Sequence, residues 1–247
     1  MTYLLHTYGC QMNVRDSEIY AAHFESCGLT PAAGEDDADL VLINTCAVRG
    51  KAEDKAIGKA RLLCVEKRKR PLIVGFAGCM AQRIGPEVFK KVPLLDFAIG
   101  TRSHHLIPEV LARIKNGEPR VAFLDPPNNI PPTPNSPLPT PNCSRLSAYV
   151  TVLLGCNRRC AYCVVPEVRG PEYSRPASEI LEEIEALVKN GTREITLLGQ
   201  SVMRYGYAEG SRFNREDSTG KFFCGGSAAA PQHFPVEPSL LSLEPSA

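Results

Sequence analysis

Over the first 120 residues, short apolar runs alternate with longer amphipathic stretches, and this alternation limits the fold more than any other feature. Tyr3 to Thr7, Leu40 to Thr45, Leu72 to Gly75 and Phe97 to Ile99 have the length and composition of strands. Between them, Ser17 to Ser26, Ala52 to Cys64 and His105 to Lys115 repeat apolar residues at three- and four-residue spacings, the period of a helix. Parallel neighbours need a crossover of about that length, so the pattern predicts βα units on a parallel sheet. Gly28 and Gly117 fall where helix C-caps are expected.

From Asp125 to Asn142, eight of eighteen residues are Pro, and neither helix nor sheet propagates through such a stretch. It is read as a linker. Beyond it, Tyr149 to Leu154 is a predicted strand, Ser178 to Lys189 a helix with Ser178 as N-cap, and Glu194 to Leu198 a second strand. After about Tyr207 the pattern stops. The expected organisation is an α/β domain over 1–124, the linker over 125–142, a second α/β segment over 143–206 and a disordered tail over 207–247.

Charge and hydropathy exclude several classes. With 28 Lys and Arg against 27 Asp and Glu, the net charge is +1, so any contact with nucleic acid must be local. No run of ~18 apolar residues is present, and the N-terminus lacks the basic start and apolar core of a secretory signal. A cytoplasmic location and no membrane partner are therefore expected. In a reducing compartment the ten cysteines point to metal or redox chemistry rather than disulfides.

The cysteines fall into three groups. Cys156, Cys160 and Cys163 form a C-x3-C-x2-C loop directly after a predicted strand. Three thiolates so placed can hold three irons of a cubane and leave the fourth open to a small chelating molecule. Zinc is the alternative, but it normally takes four protein ligands in a structural site, and no fourth Cys or His follows at suitable spacing. Cys10, Cys46 and Cys79 each follow the carboxyl end of a predicted strand, the edge where ligands bind to parallel sheets. A shared metal site and three separate thiols are both compatible with that spacing. Cys27 and Cys64, near helix ends, read as buried small hydrophobes. Cys143 in the linker and Cys224 in the tail are assigned no role.

The words around these cysteines resemble the radical S-adenosylmethionine (SAM) methylthiotransferase family of the MiaB type. The resemblance rests on Gly155-Cys156-Asn157, Tyr162-Cys163-Val164-Val165-Pro166, Arg169-Gly170 and Ser174-Arg175-Pro176. It also rests on Gly9-Cys10-Gln11-Met12-Asn13, Asn44-Thr45-Cys46 and Gly78-Cys79-Met80. It spans roughly residues 2 to 206 and implies an N-terminal parallel-sheet βα domain followed by the beginning of a radical-SAM βα (partial TIM) barrel. Two [4Fe-4S] clusters are implied: Cys156, Cys160 and Cys163 would hold the one that binds SAM, and Cys10, Cys46 and Cys79 the other.

The activity so implied is transfer of a methylthio group to C2 of N6-isopentenyl-adenosine in the tRNA anticodon loop, initiated by a 5'-deoxyadenosyl radical. An electron donor such as flavodoxin or ferredoxin and a sulfur donor are implied as partners. Threonylcarbamoyl-adenosine or a ribosomal protein as target, or a non-catalytic iron-sulfur-binding fragment, are the alternatives. Two departures stand out. Only about sixty recognisable residues follow the linker, where even a small full barrel takes ~200, so the second domain reads as truncated and no C-terminal RNA-binding domain follows. Ser201 and Met203 stand where the family usually has Asn.

Four arginines near the cluster loop, Arg158, Arg159, Arg169 and Arg175, are expected either to grip phosphate or a SAM carboxylate or to be solvated loop residues. Lys67-Arg68-Lys69-Arg70 is read as a solvated turn in preference to a phosphate contact. His104-His105 is read as a helix start.

Overall fold

The computed structural model describes residues 1–48, 50–124 and 146–206. The predicted linker over 125–142 and the tail over 207–247, with Cys143 and Cys224, lie outside the described residues. The first part runs β1 (Thr2–Tyr8), α1 (Gln11–Ser26), β2 (Thr30–Pro31), β3 (Leu40–Thr45), α2 (Gly50–Glu66), β4 (Ile73–Ala77) and α3 (Gly78–Ile84). It continues through α4 (Val88–Lys91), β5 (Phe97–Ile99), α5 (Ile107–Lys115) and β6 (Val121–Phe123).

These strands form one parallel sheet in the order β2-β1-β3-β4-β5-β6. Strand β3, Leu-Val-Leu-Ile-Asn-Thr, is buried along its whole length, as a central parallel strand covered on both faces must be. Its alternate side chains feed two cores. Val41 and Ile43 pack with Ala56, Ala60 and Leu63 of α2 and with Met80 of α3. Leu40 and Leu42 pack with Tyr20 and Phe24 of α1 and with Val110 and Leu111 of α5.

The second part runs β7 (Ser147–Leu154), α6 (Val165–Arg169), β8 (Tyr173–Ser174), α7 (Ala177–Lys189) and β9 (Glu194–Gly199). Strand β7 lies between antiparallel β8 and parallel β9, and α7 covers it through Ile180 and Leu187 against Val150, Val152 and Leu153. The strand–loop–helix–parallel strand order is the opening unit of a βα barrel, so the α/β class expected from the sequence is the observed one. Both parts pack within one compact unit, Met1–Tyr205, in which α1 lies against β7 and β9.

The helix starts of α1 and α7 differ from expectation for readable reasons, while those of α2 and α5 shift by two residues. Helix α1 begins at Gln11 rather than Ser17 because its first turns bury Asn13, Arg15, Asp16, Ser17 and Glu18, polar residues that break the apolar period. Helix α7 begins at Ala177 with Pro176 at the N-cap, so Ser178 lies inside its first turn and is not the cap. The short elements α3, α6, β6 and β8 had no readable period of their own.

Candidate functional site

Cys10, Cys46 and Cys79 arrive at one edge because their strands are neighbours in register. Tyr8 pairs with Thr45 and Asn44 with Ala77, so the three chains leave the sheet side by side. With ~4.8 Å between strands, the backbones that carry the three thiols lie across ~10 Å. The chain passes from β1 to β2 on one side and then to β3 on the other, so Cys10 and Cys46 flank the point where strand order reverses. Open α/β sheets bind ligands in that crevice.

Two buried asparagines build its floor. Asn44 Nδ2 donates to Asn13 O at 2.8 Å and to Ser17 Oγ at 2.9 Å, while Asn13 Nδ2 donates to Asn44 Oδ1 at 3.2 Å. Asn13 Oδ1 accepts from Cys10 N at 3.2 Å and from the Cys10 thiol at 3.5 Å. Gly78, just before Cys79, has φ +85°, and a Cβ there would stand 2.2 Å from Asn44 Oδ1. Only glycine makes that turn over the asparagine.

Each sulfur has a hydrogen-bonding partner. Cys46 Sγ accepts from Val48 N at 3.3 Å, and Cys79 Sγ accepts from Arg169 Nε at 3.1 Å. Burial pushes the Cys79 thiol above its ordinary pKa, against the opposing pull of the Arg169 guanidinium. Tyr20, wholly buried beside this group, is raised by burial and by Asp16, and its hydroxyl donates to Gly100 O at 3.3 Å. Three thiols on one crevice, two with N–H donors on sulfur, fit as a donor set for a thiolate-held iron–sulfur cluster. Among the described residues no three His, Cys, Asp or Glu converge on a metal-sized point.

The second triad sits on the loop after β7. Gly155 turns the chain with φ +73°, and a Cβ there would lie 2.0 Å from Pro171 O and 2.4 Å from Gly170 O. That close approach lets Cys156 N donate to Gly170 O at 3.0 Å, while Asn157 Oδ1 accepts from Glu172 N at 2.9 Å. Cys163 N donates to Cys160 O at 3.0 Å, closing the tip. Cys156 is buried, Cys163 partly so and Cys160 exposed, so the loop opens to solvent, with Tyr162 93% exposed beside it.

The arginines divide into two pairs, of which only Arg158 and Arg159 match the solvated-loop expectation. Arg158 and Arg159 are exposed, but Arg169 and Arg175 are 4% and 3% exposed, and neither is solvated nor available to phosphate. Arg169 Nη1 and Nη2 donate to Asp16 Oδ1 and Oδ2 at 3.0 and 2.5 Å, and Arg175 Nη1 donates to Glu183 Oε2 and Thr151 O, both at 2.7 Å. Their guanidiniums are consumed inside the protein, Arg169 by Asp16 of α1 and Arg175 by Glu183 of α7 and the backbone of β7. Asp16 and the Asn13–Asn44 pair carry no site role in the sequence reading, although a polar Asn inside an apolar strand was a readable signal.

The basic run forms the turn after α2. Lys67 binds Asp96 and Leu94 O, Arg70 binds Ala38 O and Glu35 O, and Arg68 and Lys69 are exposed. His104 and His105 form the 3-10 turn that leads into α5, and His104 Nδ1 lies 3.1 Å from His23 Nε2. Cys64, on α2, is buried in the core, and Cys27 packs partly buried at the end of α1.

Residues 2–100 match the family described as uncharacterized protein family UPF0004, and residues 150–222 match the Radical SAM superfamily. A UPF0004 α/β domain joined to a radical SAM segment defines the class. Among curated proteins, the chain is 39% identical over 211 residues to the tRNA-2-methylthio-N(6)-dimethylallyladenosine synthase of a Sulfurihydrogenibium species, covering 83% of this chain and 47% of that protein. The proteins of the same name from Syntrophus aciditrophicus and Thermotoga petrophila are each 42% identical, over 205 and 206 residues. The alignments cover 81% and 83% of this chain and 43% and 45% of those proteins. The chain is similar to the MiaB-type radical SAM methylthiotransferase family. It spans about half the length of the curated relatives it matches. Radical SAM enzymes of this family use [4Fe-4S] clusters and SAM. Among the described residues no helix is long and apolar enough to cross a membrane.

Proposed function

We propose that this chain carries the cluster-binding portion of a tRNA methylthiotransferase that modifies C2 of N6-isopentenyl-adenosine in the anticodon loop. The observation that carries this reading is the pair of cysteine triads, each at the carboxyl end of parallel strands, in a chain about 40% identical to synthases of that name. Cys156, Cys160 and Cys163 are the ligands of the SAM-binding cluster, and Cys10, Cys46 and Cys79 those of the second. The SAM-binding cluster supplies one-electron cleavage of the SAM sulfonium bond, and the second a sulfur-transfer centre.

This chain's own residues orient and shield those groups. Gly155 and the Cys156–Gly170 hydrogen bond fix the loop, leaving the Cys160 side open to ligand. The Asn13–Asn44 pair holds Cys10 relative to β3. Exposed Arg158, Arg159 and Tyr162 offer two cations and one stacking surface beside the loop, suited to a splayed single-stranded base and its phosphates. A flavodoxin- or ferredoxin-type electron donor, a separate sulfur donor and a cytoplasmic location complete the reading.

Iron and sulfide content with electron paramagnetic resonance, on anaerobically reconstituted protein, tests it. About eight irons are expected, falling to about four both in a Cys156, Cys160 and Cys163 triple alanine variant and in the Cys10, Cys46 and Cys79 counterpart. About four irons unchanged by the first triple change would remove the SAM-binding cluster. Mass spectrometry of tRNA from a strain lacking the gene tests the substrate: an undiminished methylthio-isopentenyl-adenosine level would exclude it.

A further inference from the structure

Arg169 belongs to α6, six residues after Cys163, yet its guanidinium is buried against α1 and α3 of the first part. Its two terminal nitrogens engage both oxygens of Asp16, a bidentate pair that is complete in itself. The third nitrogen, Nε, is directed at Cys79 Sγ, 3.1 Å away. The backbone around Arg169 is fastened on both sides. Thr101 Oγ1 donates to Val168 O at 2.5 Å, Arg102 Nη2 donates to Pro171 O at 2.7 Å, and Cys156 N donates to Gly170 O. The same short segment therefore closes the Cys156 loop and presents a cation to Cys79.

An N–H bond to a ligand sulfur and a nearby positive charge both favour the more negative, reduced form of a thiolate-held cluster. A carboxylate in the same place acts with the opposite sign. Both charges are buried, so salt screens them little. We propose that Arg169 is a positioning residue of the N-terminal triad. Through its Nε–H bond to Cys79, with Asp16 as its anchor, the second part of the chain raises the reduction potential of the cluster held by the first. This rests on the reading that Cys10, Cys46 and Cys79 hold a cluster.

The test uses the Cys156, Cys160 and Cys163 triple alanine variant, in which a single cluster remains, reduced stepwise with dithionite and followed by electron paramagnetic resonance. Arg169→Met should lower the midpoint by the equivalent of at least a tenfold change in the reduced-to-oxidised ratio, ~59 mV for one electron. Arg169→Lys, which keeps the charge and loses the fork, should lower it less. Asp16→Asn should move it the other way. A bridge that only holds the two parts together would shift Arg169→Met and Asp16→Asn in the same direction, or neither, and either result overturns the proposal. Should Arg169→Met fail to fold, the sign of the Asp16→Asn shift still decides. Absence of iron from the parent variant would overturn the cluster reading and the proposal together, whereas iron present with an unmoved midpoint would overturn the proposal alone.

Discussion

Arg15 and Glu183 are 168 positions apart in sequence, and Arg15 Nη2 donates to Glu183 Oε1 at 2.7 Å. The other carboxylate oxygen accepts from Arg175 Nη1, also at 2.7 Å, and Arg15 reaches Glu18 at 3.3 Å. Arg15, Glu183 and Arg175 are all buried, so one carboxylate of α7 ties helix α1 of the first sheet to the strand that carries the cysteine loop.

Removing that carboxylate leaves two buried guanidiniums facing each other. Glu183→Ala should lose ~3–5 kcal/mol of stability, the range for a buried pair broken on one side. Urea unfolding should show a lower midpoint with an unchanged slope. A loss below ~1 kcal/mol would mean that water solvates the group and the bridge is an ordinary surface pair.

Gly155→Ala combines a left-handed φ with a Cβ 2.0 Å from the Pro171 carbonyl oxygen. Backbone strain alone costs ~1–3 kcal/mol, and the clash falls on backbone, which has no rotamer to yield. The Cys156–Gly170 hydrogen bond should open, with iron lost from the second triad and retained by the first. Equal retention at both would show that the turn does not position the loop.

Asn44→Ala deletes the donor to Asn13 O and Ser17 Oγ and the acceptor of Asn13 Nδ2. Unpaired buried groups cost ~1–3 kcal/mol, and the orientation of Cys10 is set through Asn13. The expected pattern is the mirror of Gly155→Ala: iron lost at the N-terminal triad and kept at Cys156, Cys160 and Cys163. Loss from the second triad alone would contradict it.

Burial, with His23, His105 and Arg15 nearby, lowers the His104 pKa from 6.5 to about 3. The unfolded chain binds the proton near 6.5 and the folded one does not until about 3, so stability is full above that upper value and falls as pH drops between them. Between pH 7 and 5 this amounts to roughly 2 kcal/mol. His104→Asn should flatten the thermal-stability profile across that range relative to the parent protein. Parallel profiles would exclude His104 as the titrating group.

Much of the site was readable because it depends on local signals. The run Leu40 to Thr45 announces a strand, the C-x3-C-x2-C spacing falls on a loop after a second predicted strand, and strand and loop stand where expected. The arginines were not readable. A guanidinium next to a glycine or a proline has the same sequence context whether it faces water or a buried carboxylate, and the partners of Arg169 and Arg175 come from helices far along the chain in one case and eight residues away in the other.

The start of α1 was hidden for a related reason. Periodicity reports where apolar side chains fall, and the first turns of α1 instead bury the Asn13 amide against β3 and the charged Arg15 and Asp16 against the second part. By itself the sequence determined the parallel βα order, the loop that holds Cys156, Cys160 and Cys163, and the placement of Cys10, Cys46 and Cys79 after successive strands, because short-range periodicity and spacing encode these. Only the tertiary structure decided that strand register levels the three thiols at the point where strand order reverses, and that Arg169 crosses from one part to Cys79 in the other. Register is set between strands more than thirty residues apart and docking by buried partners 90 to 168 residues apart, which no local window of sequence contains.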